Sequence, residues 1–201
     1  MPIIGEAKKT LVELPVGEGL LIMGASGCGK SSLLRAIAGL WNSGTGAIYR
    51  PDLSRMLFLP QKPYMILGTL RSQLIYPHDS LDVSDSQLND ALEKVNLADL
   101  AEQSGGFDVE KDWEEVLSLG EQQRLAFARV LINQPRYVIL DEATSALDVK
   151  NEANLYKYLL NTNTTFVSVG HRTSLIKYHR LLLQIEEGQQ WKLQEAQSIK
   201  E

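Results

Sequence analysis

The sequence predicts an α/β fold: a mostly parallel β-sheet covered by helices, with a helical lobe inserted between core strands and a small antiparallel β portion near the C-terminus. Three observations predict it. Short apolar runs alternate with stretches of helical periodicity. The first run, Leu20-Leu21-Ile22-Met23, opens directly into a glycine-rich turn and an amphipathic segment. A later run, Tyr137-Val138-Ile139-Leu140, ends in two adjacent carboxylates, Asp141 and Glu142. The 201 residues suffice for one domain with a full hydrophobic core, and no stretch rich in Pro, Gly or Ser divides them, so residues 1–201 are read as one unit.

The elements follow in order. Leu20 to Met23 reads as a buried strand. Lys30 to Leu40 reads as a helix, with Leu33, Leu34, Ile37 and Leu40 at helical spacing and Gly39 near its end. Met56 to Leu59 is a second short strand, stopped by Pro60. From Pro77 the chain turns polar and helical, and the inserted lobe is expected over about residues 77–135. Within it Ser84-Asp85-Ser86-Gln87 has the capping-box pattern, followed by Leu88, Ala91, Leu92 and Val95 on one face. A further helix is expected from about Gly120 to Asn133, with Pro135 just beyond. Tyr137 to Leu140 and Thr165 to Val169 read as buried strands. Leu181 to Ile185 and Gln190 to Leu193, separated by Glu186-Glu187-Gly188, read as a hairpin.

Composition narrows the function classes. Apolar residues at 44% and charged residues at 22% are those of an ordinary globular protein. A net charge of -5 argues against a nucleic-acid partner, which calls for a basic face. The single cysteine, Cys28, excludes an internal disulfide and suits a reducing compartment. No apolar run approaches the ~18 residues of a membrane helix, and the N-terminus lacks the pattern of a signal peptide. Membrane spans, if the chain works at a membrane, come from another polypeptide or from a further part of this one.

Gly24-Ala25-Ser26-Gly27-Cys28-Gly29-Lys30-Ser31 matches G-x-x-x-x-G-K-[ST] in full, and Ser32 follows. Glycines let the backbone curl so that successive N–H groups point inward at phosphate oxygens, and the next helix presents its positive end to the same anion. Lys30 is placed to reach the β- and γ-phosphates, and the Ser31 hydroxyl to bind Mg²⁺. Strand before and helix after are the context this loop requires, which makes a chance match a poor explanation.

In a parallel sheet, ligands sit at the carboxyl ends of strands. The strand ending at Leu140 would therefore bring Asp141 to Mg²⁺ beside the phosphates and Glu142 to the attacking water. Taken alone, such a pair is as readily a helix cap after a buried strand. Other residues carry equally plain alternatives singly: His171 as a packed or exposed histidine, Gln61 as an ordinary turn residue, Ser118-x-Gly120 as an ordinary cap.

Their order decides. After the phosphate loop come Gln61 in Leu59-Pro60-Gln61-Lys62-Pro63-Tyr64, then Leu117-Ser118-Leu119-Gly120-Glu121-Gln122-Gln123-Arg124, the acidic strand, Ser145-Ala146-Leu147-Asp148, and His171 in Val169-Gly170-His171-Arg172. Over nearly its whole length the chain resembles the nucleotide-binding domain of ATP-binding cassette (ABC) transporters. Phe58 to Tyr64, Gly68-Thr69-Leu70-Arg71, Leu74-Ile75-Tyr76-Pro77 and Asp112-Trp113 resemble subfamily D, the peroxisomal fatty-acyl half-transporters and their bacterial relatives. The resemblance implies the P-loop NTPase core, ATP and Mg²⁺ as ligands, and a head-to-tail dimer sandwiching two ATP molecules. It implies that Gln61 contacts the metal and the water and lies on a loop facing a transmembrane domain. His171 would hold the γ-phosphate and Glu142, Ser118 and Gly120 the γ-phosphate on the opposite subunit, and Asp148 would lie along the dimer seam. A homodimer at the cytoplasmic face of a membrane, most readily the bacterial inner membrane, is the corresponding expectation.

Two departures stand out. Leu119 and Glu121 replace the family's Gly and Gln, a variant the subfamily shares. Residues 1–23 hold no aromatic residue to stack on adenine, so the N-terminal strand that carries one is expected to be missing. Two other readings stay open: a non-transport ABC ATPase of the DNA-repair or translation type, and an ATP-binding fragment with little turnover alone.

Overall fold

A computed structural model describes residues 12–41, 47–186 and 190–198. The expectation that the N-terminal, aromatic-bearing strand is missing concerns a stretch whose residues 1–11 lie outside the described ones. The sheet has six strands: β1 (Gly19–Gly24), β2 (Met56–Leu59), β5 (Tyr137–Asp141), β6 (Thr165–Val169), β7 (Leu181–Ile185) and β8 (Trp191–Glu195), in the order β2-β5-β6-β1-β7-β8. All neighbours pair parallel except β7 and β8, which form the expected antiparallel hairpin. A second, two-stranded antiparallel sheet joins β3 (Gly68–Thr69) to β4 (Glu110–Lys111). The fold is thus α/β with a mostly parallel sheet and a small antiparallel hairpin, as the sequence predicts, and the β3–β4 pair is a further antiparallel portion that the sequence pattern did not show.

The continuous apolar runs have a direct cause. Successive side chains of a strand point to opposite faces, and both faces are covered here. On β1, Leu21 packs into one core cluster, whereas Leu20 and Ile22 pack into another with Leu34 and Ala38. On β5, Val138 and Leu140 join the first and Ile139 the second. The second cluster is capped by α1 (Lys30–Ile37). The first takes residues from α2 (Leu70–Ile75), α3 (Asp85–Lys94), α6 (Leu119–Asn133) and α7 (Val149–Asn161).

Helix α1 ends earlier than its periodicity suggests. The Gly39 N–H, at φ 75°, donates to Ala36 O and the Leu40 N–H to Arg35 O, the pair of hydrogen bonds of a glycine-terminated helix, and Leu40 is left exposed. Strands β2 and β5 are neighbours, yet the chain between them builds β3, β4, α2, α3, α4 (Leu100–Ser104), α5 (Trp113–Val116) and α6. The capping box at Ser84 and Gln87 starts α3 as predicted. Helix α6 is buried on most of its circumference, including the polar Gln122, Gln123 and Arg129, and ends at Gln134 in the left-handed region just before Pro135.

Candidate active site

Register brings the loops together. Leu59 pairs with Leu140, Asp141 with Val169, and Val169 with Ile22. The loops that follow β2, β5, β6 and β1 therefore leave the sheet at one end, carrying Gln61, Glu142, His171 and the 24–31 segment.

In the loop after β1, Gly27 and Gly29 take φ of 77° and 102°, and a Cβ at either would meet nothing within 4 Å. Backbone conformation, not crowding, is what asks for glycine there. Ala25, Ser26 and Gly27 are exposed, as is Ser32, and Cys28 is half-buried. Lys30 is buried, and its Nζ donates to Gly24 O at 3.0 Å and Ala25 O at 2.8 Å. The ammonium is thus folded into the concave side of its own loop. Ser31 Oγ donates to Asp141 Oδ1 at 2.9 Å, linking the start of α1 to the end of β5. These two hard oxygens fit Mg²⁺, which is typically bound by one or two protein oxygens with substrate phosphates and water completing the shell. Among the described residues no cluster of three or more His, Cys, Asp or Glu side chains could hold a metal ion by itself.

Glu142 follows at φ 51°, a left-handed conformation costing a non-glycine residue about 1–2 kcal/mol. Its N–H donates to Val169 O at 3.2 Å, its carbonyl accepts from Ser145 N at 3.0 Å, and its Oε1 lies 3.0 Å from His171 Nε2. The main chain is pinned at both ends, and the carboxylate is held by the loop after β6. Gln61 is exposed, and its carbonyl, not its side chain, is the anchored group: it accepts from Gln123 Nε2 at 2.7 Å.

The remaining sequence candidates lie elsewhere on the surface. Ser118 is exposed and caps α6; its hydroxyl donates to Glu121 Oε2 at 2.6 Å, and Glu121 Oε2 accepts from Ser118 N at 2.9 Å. These bonds hold the Glu121 carboxyl below its ordinary pKa. Gly120 is half-buried beside the 145–148 segment. Asp148 is exposed and caps α7, accepting from Asn151 N at 2.8 Å, which lowers its pKa in turn.

Sequence reasoning assigned no role to Arg172, Glu152 or Gln123. Arg172 Nη1 donates to Leu147 O at 3.1 Å and to the buried Glu152 Oε2 at 3.0 Å, while Nη2 donates to Ser145 O at 3.1 Å. It ties the His171 loop to the segment after Glu142. Only its adjacency to His171 signalled this in the sequence; Glu152 had no signal beyond being a charge in a helix.

A glycine-rich loop at a helix start, with a Ser–Asp oxygen pair and a Glu–His pair at the same sheet end, defines a P-loop nucleotide-binding domain. The family model described as ABC transporter matches residues 8–145. The chain belongs to the ABC transporter family, as an ATP-binding domain. It is 63% identical over 177 residues to an uncharacterised ABC transporter ATP-binding protein of Synechocystis, covering 88% of this chain and 27% of that protein. It is 44% identical to the chloroplastic ABC transporter D family member 2 of Arabidopsis thaliana, covering 83% of this chain and 30% of that protein. It is also 44% identical to the human lysosomal cobalamin transporter ABCD4, covering 92% and 32%. The chain therefore spans less than a third of these relatives, and the subfamily D resemblance holds. A bacterial Atm1-family ABC exporter with ATP bound superposes with a TM-score of 0.77 at 25% identity, over 93% of this chain and 35% of the exporter chain. Among the described residues no helix is long and apolar enough to cross a membrane.

Proposed function

We propose that this domain binds Mg-ATP and hydrolyses it as the motor of a membrane transporter, working as a head-to-tail pair with a second copy or a close relative. The observation that carries the reading is the meeting, at one end of a parallel sheet, of the Ser31–Asp141 pair and the Glu142–His171 pair. In this reading the N–H groups of residues 24–31 surround the phosphates. Lys30 exchanges its bonds to Gly24 and Ala25 carbonyls for phosphate oxygens, which neutralise it far better than a carbonyl dipole. Ser31 and Asp141 hold Mg²⁺, which when bound offsets the charge on the transferred phosphoryl group. Glu142 accepts the proton of the attacking water, and His171 keeps that carboxylate aimed. Gln61 reaches the same centre from its exposed loop.

The exposed Ser118 and Asp148 and the half-buried Gly120 take a different part: they complete the partner's site. A helix N-terminus with a hydroxyl and free N–H groups suits a γ-phosphate. The bridging phosphate draws two subunits together, and its loss on hydrolysis releases them. The relatives named as transporters support the placement beside a transmembrane domain, without identifying a cargo; the cytoplasmic face of a membrane is part of the proposal.

Glu142→Gln tests the reading. The amide keeps the shape but accepts no proton, so ATP turnover is expected to fall by at least about a hundredfold. ATP binding should persist, and the ATP-bound pair should live longer. Turnover that survives the substitution removes Glu142 as the base.

A further inference from the structure

Gln123 is 1% exposed, and its side-chain amide reaches two segments away from its own helix. Nε2 donates to Gln61 O at 2.7 Å and to Ser145 Oγ at 3.2 Å, and Oε1 accepts from Ala146 N at 2.9 Å. It sits on α6 five positions after the cap Ser118, about 7.5 Å along the helix axis. The start of α6 meets the 145–148 segment again at Gly120, where a Cβ would stand 3.3 Å from Ala146 O. The far side of that segment is held by Arg172 through the carbonyls of Ser145 and Leu147. One buried amide thus fastens the loop after β2 both to the start of α6 and to the turn ending at Asp148.

We propose that Gln123 is a positioning residue that couples the two nucleotide sites of the pair. Gln61 reports on the chain's own site, whereas Ser118 and Asp148 face the partner's; this rests on the ATP-sandwich reading above. In a buried site with its donors and acceptor engaged, an amide has few alternative arrangements. A displacement of the Gln61 main chain therefore carries the start of α6 and the 145–148 turn with it, or leaves a buried donor without its acceptor. Pairing and cooperativity are the properties that this link governs. Nucleotide capture by residues 24–31 does not pass through it.

Two substitutions separate this from a general loosening of the fold. Gln123→Glu keeps an acceptor for Ala146 N–H but turns an oxygen toward the Gln61 carbonyl. Gln123→Met keeps the length and removes every hydrogen bond. Each is made in this chain with Glu142 intact and with Glu142→Gln. Affinity for a fluorescent N-methylanthraniloyl ATP is measured at low protein concentration, ATP-driven pairing by light scattering in the Glu142→Gln background, and the ATP Hill coefficient of turnover with Glu142 intact. Own-site affinity is expected to stay within about twofold, while the ATP needed for half-pairing rises about tenfold in both variants. The Hill coefficient should fall toward one. Variants that pair and cooperate like the parent overturn the proposal, and so does own-site affinity falling in step with pairing. A Glu142→Gln parent that never pairs with ATP refutes the sandwich itself, and the coupling with it.

Discussion

The Ser118 hydroxyl has one proton to donate, and it goes to Glu121. In the proposed sandwich the same hydroxyl meets the partner's γ-phosphate, with a carboxylate directly behind it. At roughly 6 Å and an effective dielectric near 20, each unit of phosphate charge is opposed by about 3 kcal/mol before screening by salt. Glu121→Gln removes that repulsion and keeps the reciprocal cap, because glutamine serves the same motif. ATP-driven pairing of the Glu142→Gln chain should then need about tenfold less ATP, read by light scattering; unchanged pairing would place Glu121 away from the phosphate. The phosphate loop was legible from residue type and spacing, whereas Asp141 and Glu142 were legible only beside that loop and in the order of the motifs. The Ser118–Glu121 tie was equally written there, since it repeats the Ser84–Gln87 pattern that the sequence did yield. Against the family pattern Glu121 reads as a replacement for glutamine; counted three places from Ser118 it reads as the partner of a capping box.

At the scale of elements, strands were the most legible, because burial on two faces leaves an unbroken apolar run. Helix α7 was not. Its buried face mixes Leu155, Tyr156 and Leu159 with Asn151 and Glu152, and its cap is Asp148, the same residue that the family resemblance assigns to a dimer seam. Helix α2 was equally hidden, six residues long and capped by Thr69. Polar burial recurs after the 3-10 turn Thr173–Tyr178, where His179 fills the space between that turn and β6. Its Nδ1 lies 2.8 Å from Leu175 O and its Nε2 3.0 Å from Ser168 Oγ, with Tyr156 and Phe166 packed edge-on. Burial lowers its pKa to about 4, against an ordinary 6.5. Between these values the unfolded chain binds a proton that the folded one refuses, so stability falls as the pH drops from about 6.5 toward 4. The loss amounts to at most about 3 kcal/mol. Urea titrations at about pH 8 and about pH 5 should show a smaller acid loss for His179→Gln than for the parent. Equal losses would mean that His179 is protonated in the native state.

For the whole molecule, pattern alone could count the strands of the main sheet but not order them, and it missed the two-residue strands β3 and β4. Strands β2 and β5 touch although the entire helical excursion separates them in sequence, and β1 lies between β6 and β7. Only that order sets the loops after β1, β2, β5 and β6 side by side. The convergence of Lys30, Asp141, Glu142 and His171 could therefore be expected from motif order, whereas the three-way bond of Gln123 depends on tertiary geometry that no local pattern encodes.

The left-handed backbone of Glu142 has a consequence for engineering robustness. At most positions alanine makes a sturdier protein than glycine, because glycine gains more freedom on denaturation. Here the ranking should invert. Glu142→Ala and Glu142→Gly both forfeit the His171 contact, but only glycine sheds the torsional penalty, so the glycine mutant should resist thermal melting better by about 1 kcal/mol. A higher melting temperature for the alanine mutant would mean that the strain is relieved elsewhere. The expected inversion puts the carboxylate proposed as the base on a stretch of backbone that suits glycine better than alanine.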